Sequence, residues 1–232
     1  AWTGGVESLN PELEWIKRSW NNHFETLKKH KNHDYYEFAR KIAKTGGLGI
    51  DIASGPGGGS VPSILFFNPK AKIMMTDLGV SVLYLWQEFL HNQRKGHDVA
   101  FTGMDVTRIP LKSNCLDYVV DSGGFGNVEY ADKAIGESFR VLKSGGKLYL
   151  NDAITEDVEK LPAEVYSELV SKKPQYTTGW EQMVKEAGFI IESKDTWKQQ
   201  KLNYDESDLG ALSKQYGVEI YFTSFSLIAH KP

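Results

Sequence analysis

The sequence predicts an α/β fold: a doubly wound, mostly parallel seven-stranded sheet whose last strand runs antiparallel, with an N-terminal helical cap. Three observations carry this. From residue 47 onward, seven short apolar segments rich in β-branched residues alternate with segments of helical periodicity. The first of them, GLGIDIA, runs directly into the glycine-rich stretch SGPGGGS and then into a helix. The C-terminal run VEIYFTSFSLIAHK has no long crossover helix before it, so it returns beside its predecessor and antiparallel to the rest.

The elements follow in order. Asn10 stands where a helix N-cap belongs and Pro11 at the first helical position, after which Leu13, Ile16, Trp20, Phe24 and Leu27 recur at helical spacing. A polar break, KKHKNH, separates this helix from a second one whose Tyr35, Phe38, Ala39 and Ile42 share a face. These two helices make a cap over residues 1–45, and residues 46–232 make the main domain. Within that domain GLGIDIA, AKIMMTD, VAFTGMD, LDYVVDS, KLYLNDA and FIIESKDTW read as strands. VPSILFF, SVLYLWQEFLHNQRK, DKAIGESFRVLKSGG and GWEQMVKEAGF read as the helices between them.

Composition narrows the function. A net charge of −3 offers no basic footprint for a phosphate backbone, so no nucleic-acid partner is expected. No apolar run reaches membrane-spanning length and the opening AWTGGVESLN has no signal-peptide pattern, so a cytoplasmic protein without a membrane partner is expected. The single cysteine, Cys115, suits a reducing compartment. The six histidines show no zinc spacing with it, and no metal is expected.

The glycine loop is the chemical signal. Gly55, Gly57, Gly58 and Gly59 let backbone N–H groups approach a ligand at the carboxyl end of a strand. A P-loop would need a lysine after the glycines, and GGGSVPS has none. A dinucleotide fingerprint starting at Gly55 fails at its sixth position, which is Ser60. Asp77, twenty residues past Gly57 at the end of the second strand, can accept both hydroxyls of a ribose, and with either adenosyl-type cofactor that is what such a site needs.

DIASGPG resembles the first motif of class I S-adenosylmethionine-dependent methyltransferases, with Ala53 in place of the usual first glycine. MMTDLG, GMDVTRIPLKSNCLDYVVDS, ESFRVLKSGGKLYLNDA and WEQMVKEAGF resemble the later motifs of that family in the right order, over roughly residues 46 to 200. The resemblance implies a Rossmann-like sheet of order 3-2-1-4-5-7-6 and S-adenosyl-L-methionine as cofactor. It implies that Gly55 and Gly57, with Ala53 in the same loop, meet the methionine end, that Asp51 steadies that loop or the amino group, and that Asp77 meets the ribose, Leu78 the adenine face, and Asp105 with Val106 the adenine edge. Ser122 and the adjoining backbone would meet the cofactor's ammonium beside the transferring methyl group, with Asp121 and Tyr35 also at the cofactor and Asn127 and Tyr130 as candidates for the acceptor.

The implied activity is methyl transfer by in-line displacement to a small organic molecule or short peptide, at an oxygen. A catalytically silent cofactor-binding protein and an NAD(P)-dependent oxidoreductase are the alternatives. The second is disfavoured by Ser60 and by the lack of a Tyr-x-x-x-Lys dyad. A base is needed only if the acceptor arrives protonated. His33, in the break between the two cap helices, and Asp152, just past the fifth strand, are the candidates, with Tyr36 as a third catalytic candidate. Tyr35 and Tyr36 are adjacent on a helix and point about 100° apart, so one of them should face the crevice. Asp77 is expected to have no structural duty.

Overall fold

The computed structural model describes residues 11–31, 34–93, 97–172, 175–201 and 208–232. Asn10 and His33 lie outside the described residues. Two helices, α1 (Pro11–Lys29) and α2 (Asp34–Thr45), precede β1 (Leu48–Ile52), α3 (Val61–Phe67), β2 (Lys72–Asp77), α4 (Val80–Asn92) and β3 (Val99–Gly103). There follow β4 (Leu116–Ser122), α5 (Ala131–Val141), β5 (Leu142–Thr155), α6 (Ala163–Lys172), α7 (Gln175–Thr178), α8 (Trp180–Glu186), β6 (Ile190–Lys201), α9 (Asp208–Tyr216) and β7 (Tyr221–His230).

The strands form one sheet of order β3-β2-β1-β4-β5-β7-β6. Pairs among β1 to β5 are parallel, and β7 is antiparallel to both β5 and β6. The nine residues of α9 precede β7 without making it parallel, because β7 fills the gap between β5 and β6. Among the described residues, no helix is long and apolar enough to cross a membrane.

The near-continuous apolar character of the central strands has its reason in burial on both faces. Ile50, Ile52, Val119, Val120, Leu148 and Leu150 are fully buried. One face packs under α5 and α8, with Phe125, Trp180 and Phe225 in its core. The other packs under α1 to α4, with Trp20, Phe38 and Trp86. The helical stripe read on α1 is the buried one, since Ile16, Trp20 and Leu27 all point inward. Both cap helices therefore contribute to the same core cluster as α3 and α4.

The order in which strands are added reverses between β1 and β4, which pair in parallel as neighbours, and such a switch opens a crevice at the strand ends. Register then decides what meets there. Ile52 pairs with Asp121, Ser122 with Asn151, and Asp152 with Phe225. Four polar residues from two strands are thereby brought to one edge, next to the glycine loop.

Candidate active site

The loop leaving β1 is held from below, from the side and from above. Asp51 is fully buried beneath it: Oδ1 accepts from Ser54 Oγ at 2.5 Å and Oδ2 from the Ser60 amide at 2.8 Å. Gly59 crosses so close to that carboxylate that any Cβ would run into it. From α4, Trp86 Nε1 donates to Gly55 O at 3.0 Å while its ring fills the space beside Gly58. From α1, Ser19 Oγ donates to Gly57 O at 2.6 Å. The other side of the loop is open, and a Cβ on Gly57 would meet nothing within 4 Å. Ala53 turns the chain at φ 46°, a left-handed conformation that costs an L-residue roughly 1–2 kcal/mol and that a glycine adopts freely.

Burial pushes the Asp51 carboxyl up to about 7, against the two donors that hold it. A carboxyl whose folded value lies above its unfolded one favours folding fully at acid pH, and that contribution is lost as pH rises from about 4 to 7. Asp51→Asn cannot titrate, yet it keeps an oxygen for the Ser60 amide and a donor for the Ser54 hydroxyl. Relative to the variant, the wild-type protein is expected to lose stability across that window and to run parallel above it. Urea unfolding of both proteins from pH 4 to 8 measures the difference.

Asp77 stands at the end of β2, but it has a structural duty that its sequence position does not disclose. Its Oδ2 accepts from the Gly55 amide at 2.8 Å and Oδ1 from the Gly79 amide at 2.7 Å, so it ties β2 to the glycine loop. Leu78 beside it is 75% exposed, a large apolar side chain presented to solvent at the crevice. Asp105 is the N-cap of a short 3-10 turn, Val106–Arg108, accepting from the amide and hydroxyl of Thr107 at 2.8 and 2.7 Å. Those bonds hold its carboxyl below the usual range. The Val106 side chain is core, leaving only its backbone for a ligand.

Past β4 the chain turns back over the sheet. Asp121 is fully buried; Oδ1 accepts from the Phe125 amide at 2.6 Å, and Oδ2 has no hydrogen-bond partner among the described residues. Burial, and then the neighbouring Asp152 carboxylate, raise Asp121 well above the usual carboxylate range. Asp152 lies inside β5, which runs on to Thr155, and not past it. Its oxygens accept from the Gly126 amide at 3.1 Å and the Ala153 amide at 2.8 Å.

Asp152 lines a cavity of about 330 Å³ together with Thr26, Tyr35, Ser122, Gly123 and Ser224. Tyr35 is the tyrosine that reaches the crevice, and its hydroxyl shares a 3.1 Å hydrogen bond with Ser63. Tyr36 is not brought to this cavity. Its ring meets Phe67 edge-on at 4.9 Å, because a 100° step around α2 carries it past the face that Phe38 and Ile42 bury. The His33 base candidate falls outside the described residues. The histidine that does take part is His23, missed in the sequence although it sits three residues after Trp20 and four before Leu27 on the buried stripe. His23 shares a 2.6 Å hydrogen bond with Ser63, the same hydroxyl that Tyr35 uses.

These residues suit a cationic adenosyl ligand. A buried carboxylate oxygen without a partner is costly unless a positive group meets it. Asp121 supplies that oxygen, Asp152 adds like charge beside it, and the open side of the glycine loop leaves room for a ligand backbone approach.

Comparison with known proteins bears on the same residues. Residues 51–150 match the model of a methyltransferase domain family. A ubiquinone/menaquinone biosynthesis C-methyltransferase, UbiE, of Pseudomonas putida is 27% identical over 123 residues, which are 53% of this chain and 48% of that one. The chain thus spans about half the length of the curated relatives it matches. Among solved structures, a Bacillus halodurans protein provisionally classed as a methyltransferase superposes with a TM-score of 0.65 at 19% identity, covering 86% of this chain and 99% of that one. A geranyl diphosphate methyltransferase in complex with SAM superposes with a TM-score of 0.61 at 10% identity, covering 99% and 93%. At such identities the structures speak for the fold alone. The sheet order with its antiparallel seventh strand, the braced glycine loop with Asp77 behind it, and the match of residues 51–150, from β1 into β5, to a methyltransferase domain together support a class I S-adenosylmethionine-dependent methyltransferase with S-adenosylmethionine as its cofactor.

Proposed function

We propose that this protein transfers the methyl group of S-adenosylmethionine to the oxygen of a small, hydroxyl-bearing organic molecule, with Asp152 accepting the hydroxyl proton. The observation that carries this reading is the placement of Asp152 on the wall of the 330 Å³ cavity, with two backbone amides fixing its oxygens and with Ser122 and Tyr35 lining the same cavity. The cofactor supplies a methyl group that is already electrophilic on its sulfonium, so the protein's share is to hold the reactants and manage one proton. A cavity of this size takes a small molecule more readily than a peptide. Thr26 of α1 and Tyr35 of α2 close it on one side, which makes the N-terminal helices the cover that excludes water.

A second reading has its own support. The curated relatives are named C-methyltransferases, and an enol or phenol deprotonated at oxygen is also nucleophilic at the adjacent carbon. The same Asp152 serves both outcomes. A panel of phenols, enols and carboxylates incubated with S-adenosylmethionine, with products identified by mass and by the chemical shift of the new methyl group, separates O- from C-methylation. Cofactor binding without turnover on any member would favour a silent binding protein.

Asp77→Ala is expected to weaken S-adenosylmethionine binding by about 1.5–3 kcal/mol, the scale of hydrogen bonds to a charged group. Part of that loss comes through the glycine loop, since Gly55 loses its acceptor. Isothermal calorimetry on Asp77→Ala and Asp77→Asn measures it. Unchanged affinity in a folded alanine variant would remove Asp77 from the cofactor site.

A further inference from the structure

The segment between β5 and α8 reaches Asp152, on the cavity wall, through one residue that the expected cofactor and acceptor roles leave unused. Tyr176 sits on α7, a four-residue helix tied at its start to the turn after β4 and followed at once by α8, whose first residue is tied to β5. Gln175 Nε2 donates to Gly126 O at 3.2 Å, and Trp180 Nε1 donates to Ala153 O at 2.9 Å. Between them the Tyr176 ring meets Trp180 edge-on at 6.2 Å. So held, the Tyr176 hydroxyl donates to the Asp152 carboxylate. Gly126 marks how tightly the three groups converge. A Cβ there would run into the Tyr176 hydroxyl and lie 3.0 and 3.1 Å from the two Asp152 oxygens.

We propose that Tyr176 is a positioning residue for Asp152: its hydroxyl fixes the carboxylate in the rotamer that faces the cavity and favours the ionised form in which it accepts a proton. The inference rests on the reading of Asp152 as proton acceptor. Its physics is a balance of two neighbours. The titratable groups that face Asp152 include Asp121 from β4, Tyr176 from α7 and Tyr35 from α2. On β7, the paired Phe225 and adjacent Ser224 carry no charge. Asp121 opposes ionisation of Asp152 by like charge, whereas a hydroxyl donated to the carboxylate favours it. Tyr176 itself is shifted upward by burial and by both carboxylates, so it stays a neutral donor at any working pH.

The test is Tyr176→Phe, which keeps the ring against Trp180 and removes only the donor; a thermal melt within a few degrees of wild type establishes that it folds. In the ligand-free protein, the carboxyl carbon of Asp152 is followed by NMR from pH 3 to 9, its resonance assigned by its loss in Asp152→Asn. Because Asp121 and Asp152 interact, the readout is the apparent midpoint. The expected result is a midpoint about one pH unit higher in Tyr176→Phe, the scale of losing one donor to a carboxylate. The acid limb of the kcat profile should move the same way while the KM for S-adenosylmethionine stays within about twofold. An unmoved midpoint in the folded variant overturns the proposal. A moved midpoint beside an Asp152→Asn protein of full kcat would uphold the hold of Tyr176 on Asp152 and overturn instead the role given to Asp152 in the reaction.

Discussion

Asp152→Asn is expected to lower kcat by about 10²- to 10⁴-fold, the range that a positioned general base contributes, while the affinity for S-adenosylmethionine changes little. The substitution is nearly isosteric, and an asparagine oxygen can still accept from the Gly126 or Ala153 amide, so the wall of the cavity should keep its shape. What is lost is the capacity to take a proton. Asp121, the neighbouring carboxylate, is a poor substitute: it is buried, raised by desolvation, and its Oδ1 is engaged by the Phe125 amide. The double measurement matters. Single-turnover methyl transfer at saturating acceptor gives the chemical step, and calorimetry gives the binding step. A full rate in a folded Asp152→Asn protein would mean that the acceptor arrives already deprotonated.

Trp20→Ala is expected to cost about 3–5 kcal/mol of stability, the range for removing a large buried aromatic, and to loosen the glycine loop as well. Trp20 is 5% exposed and stacks on Phe24 at 4.6 Å, with Phe89 edge-on at 5.5 Å and Trp86 at 6.5 Å. It is thus the seat of α1 on α4. The residues before and after it on α1 make the connections to the site: Ser19 to Gly57 O, and His23 to Ser63. A helix that no longer seats firmly cannot hold either.

His23 gives the same connection a pH dependence. Burial pushes its imidazole down to about 4, so it is buried neutral. Its stabilising contribution is present above pH 6.5 and is lost as pH falls toward 4, the opposite sense to Asp51. Urea unfolding and S-adenosylmethionine titration of Trp20→Ala at pH 7.5 check the main expectation. A variant that loses stability but keeps full affinity would confine α1 to packing.

Much of this architecture could be read before any coordinates. Strand and helix periods name the elements because an element's buried stripe is a local property, written every second or every 3.6 residues. Ile16, Trp20 and Leu27 on α1, and Phe38 and Ile42 on α2, are buried as their spacing requires. The glycine loop was legible for a related reason. Gly58 and Gly59 stand where Trp86 and Asp51 leave no room for a side chain, and such crowding leaves its mark in residue type.

The misreadings share a cause. Asp77 looked idle because its partners, the Gly55 and Gly79 amides, are backbone groups that any sequence would supply. Asp152 was placed beyond a strand that in fact continues to Thr155, since its pairing with β7 extends it. Tyr36 and Tyr35 could not be separated, because the stripe they flank is wide enough for either to fall at its edge.

By itself, then, the sequence determined the order of the elements and the glycine loop, which depend on residues close together in the chain, while the sheet order and its antiparallel seventh strand came with the family resemblance. Only the tertiary structure decided that Asp121, Asp152, Tyr35 and Tyr176 share one site. They come from β4, β5, α2 and α7, and what joins them is the lateral order of the sheet and the register of its pairs. Those are set by how whole elements pack their buried faces against one another, and no local pattern of residues encodes which strand end will lie beside which.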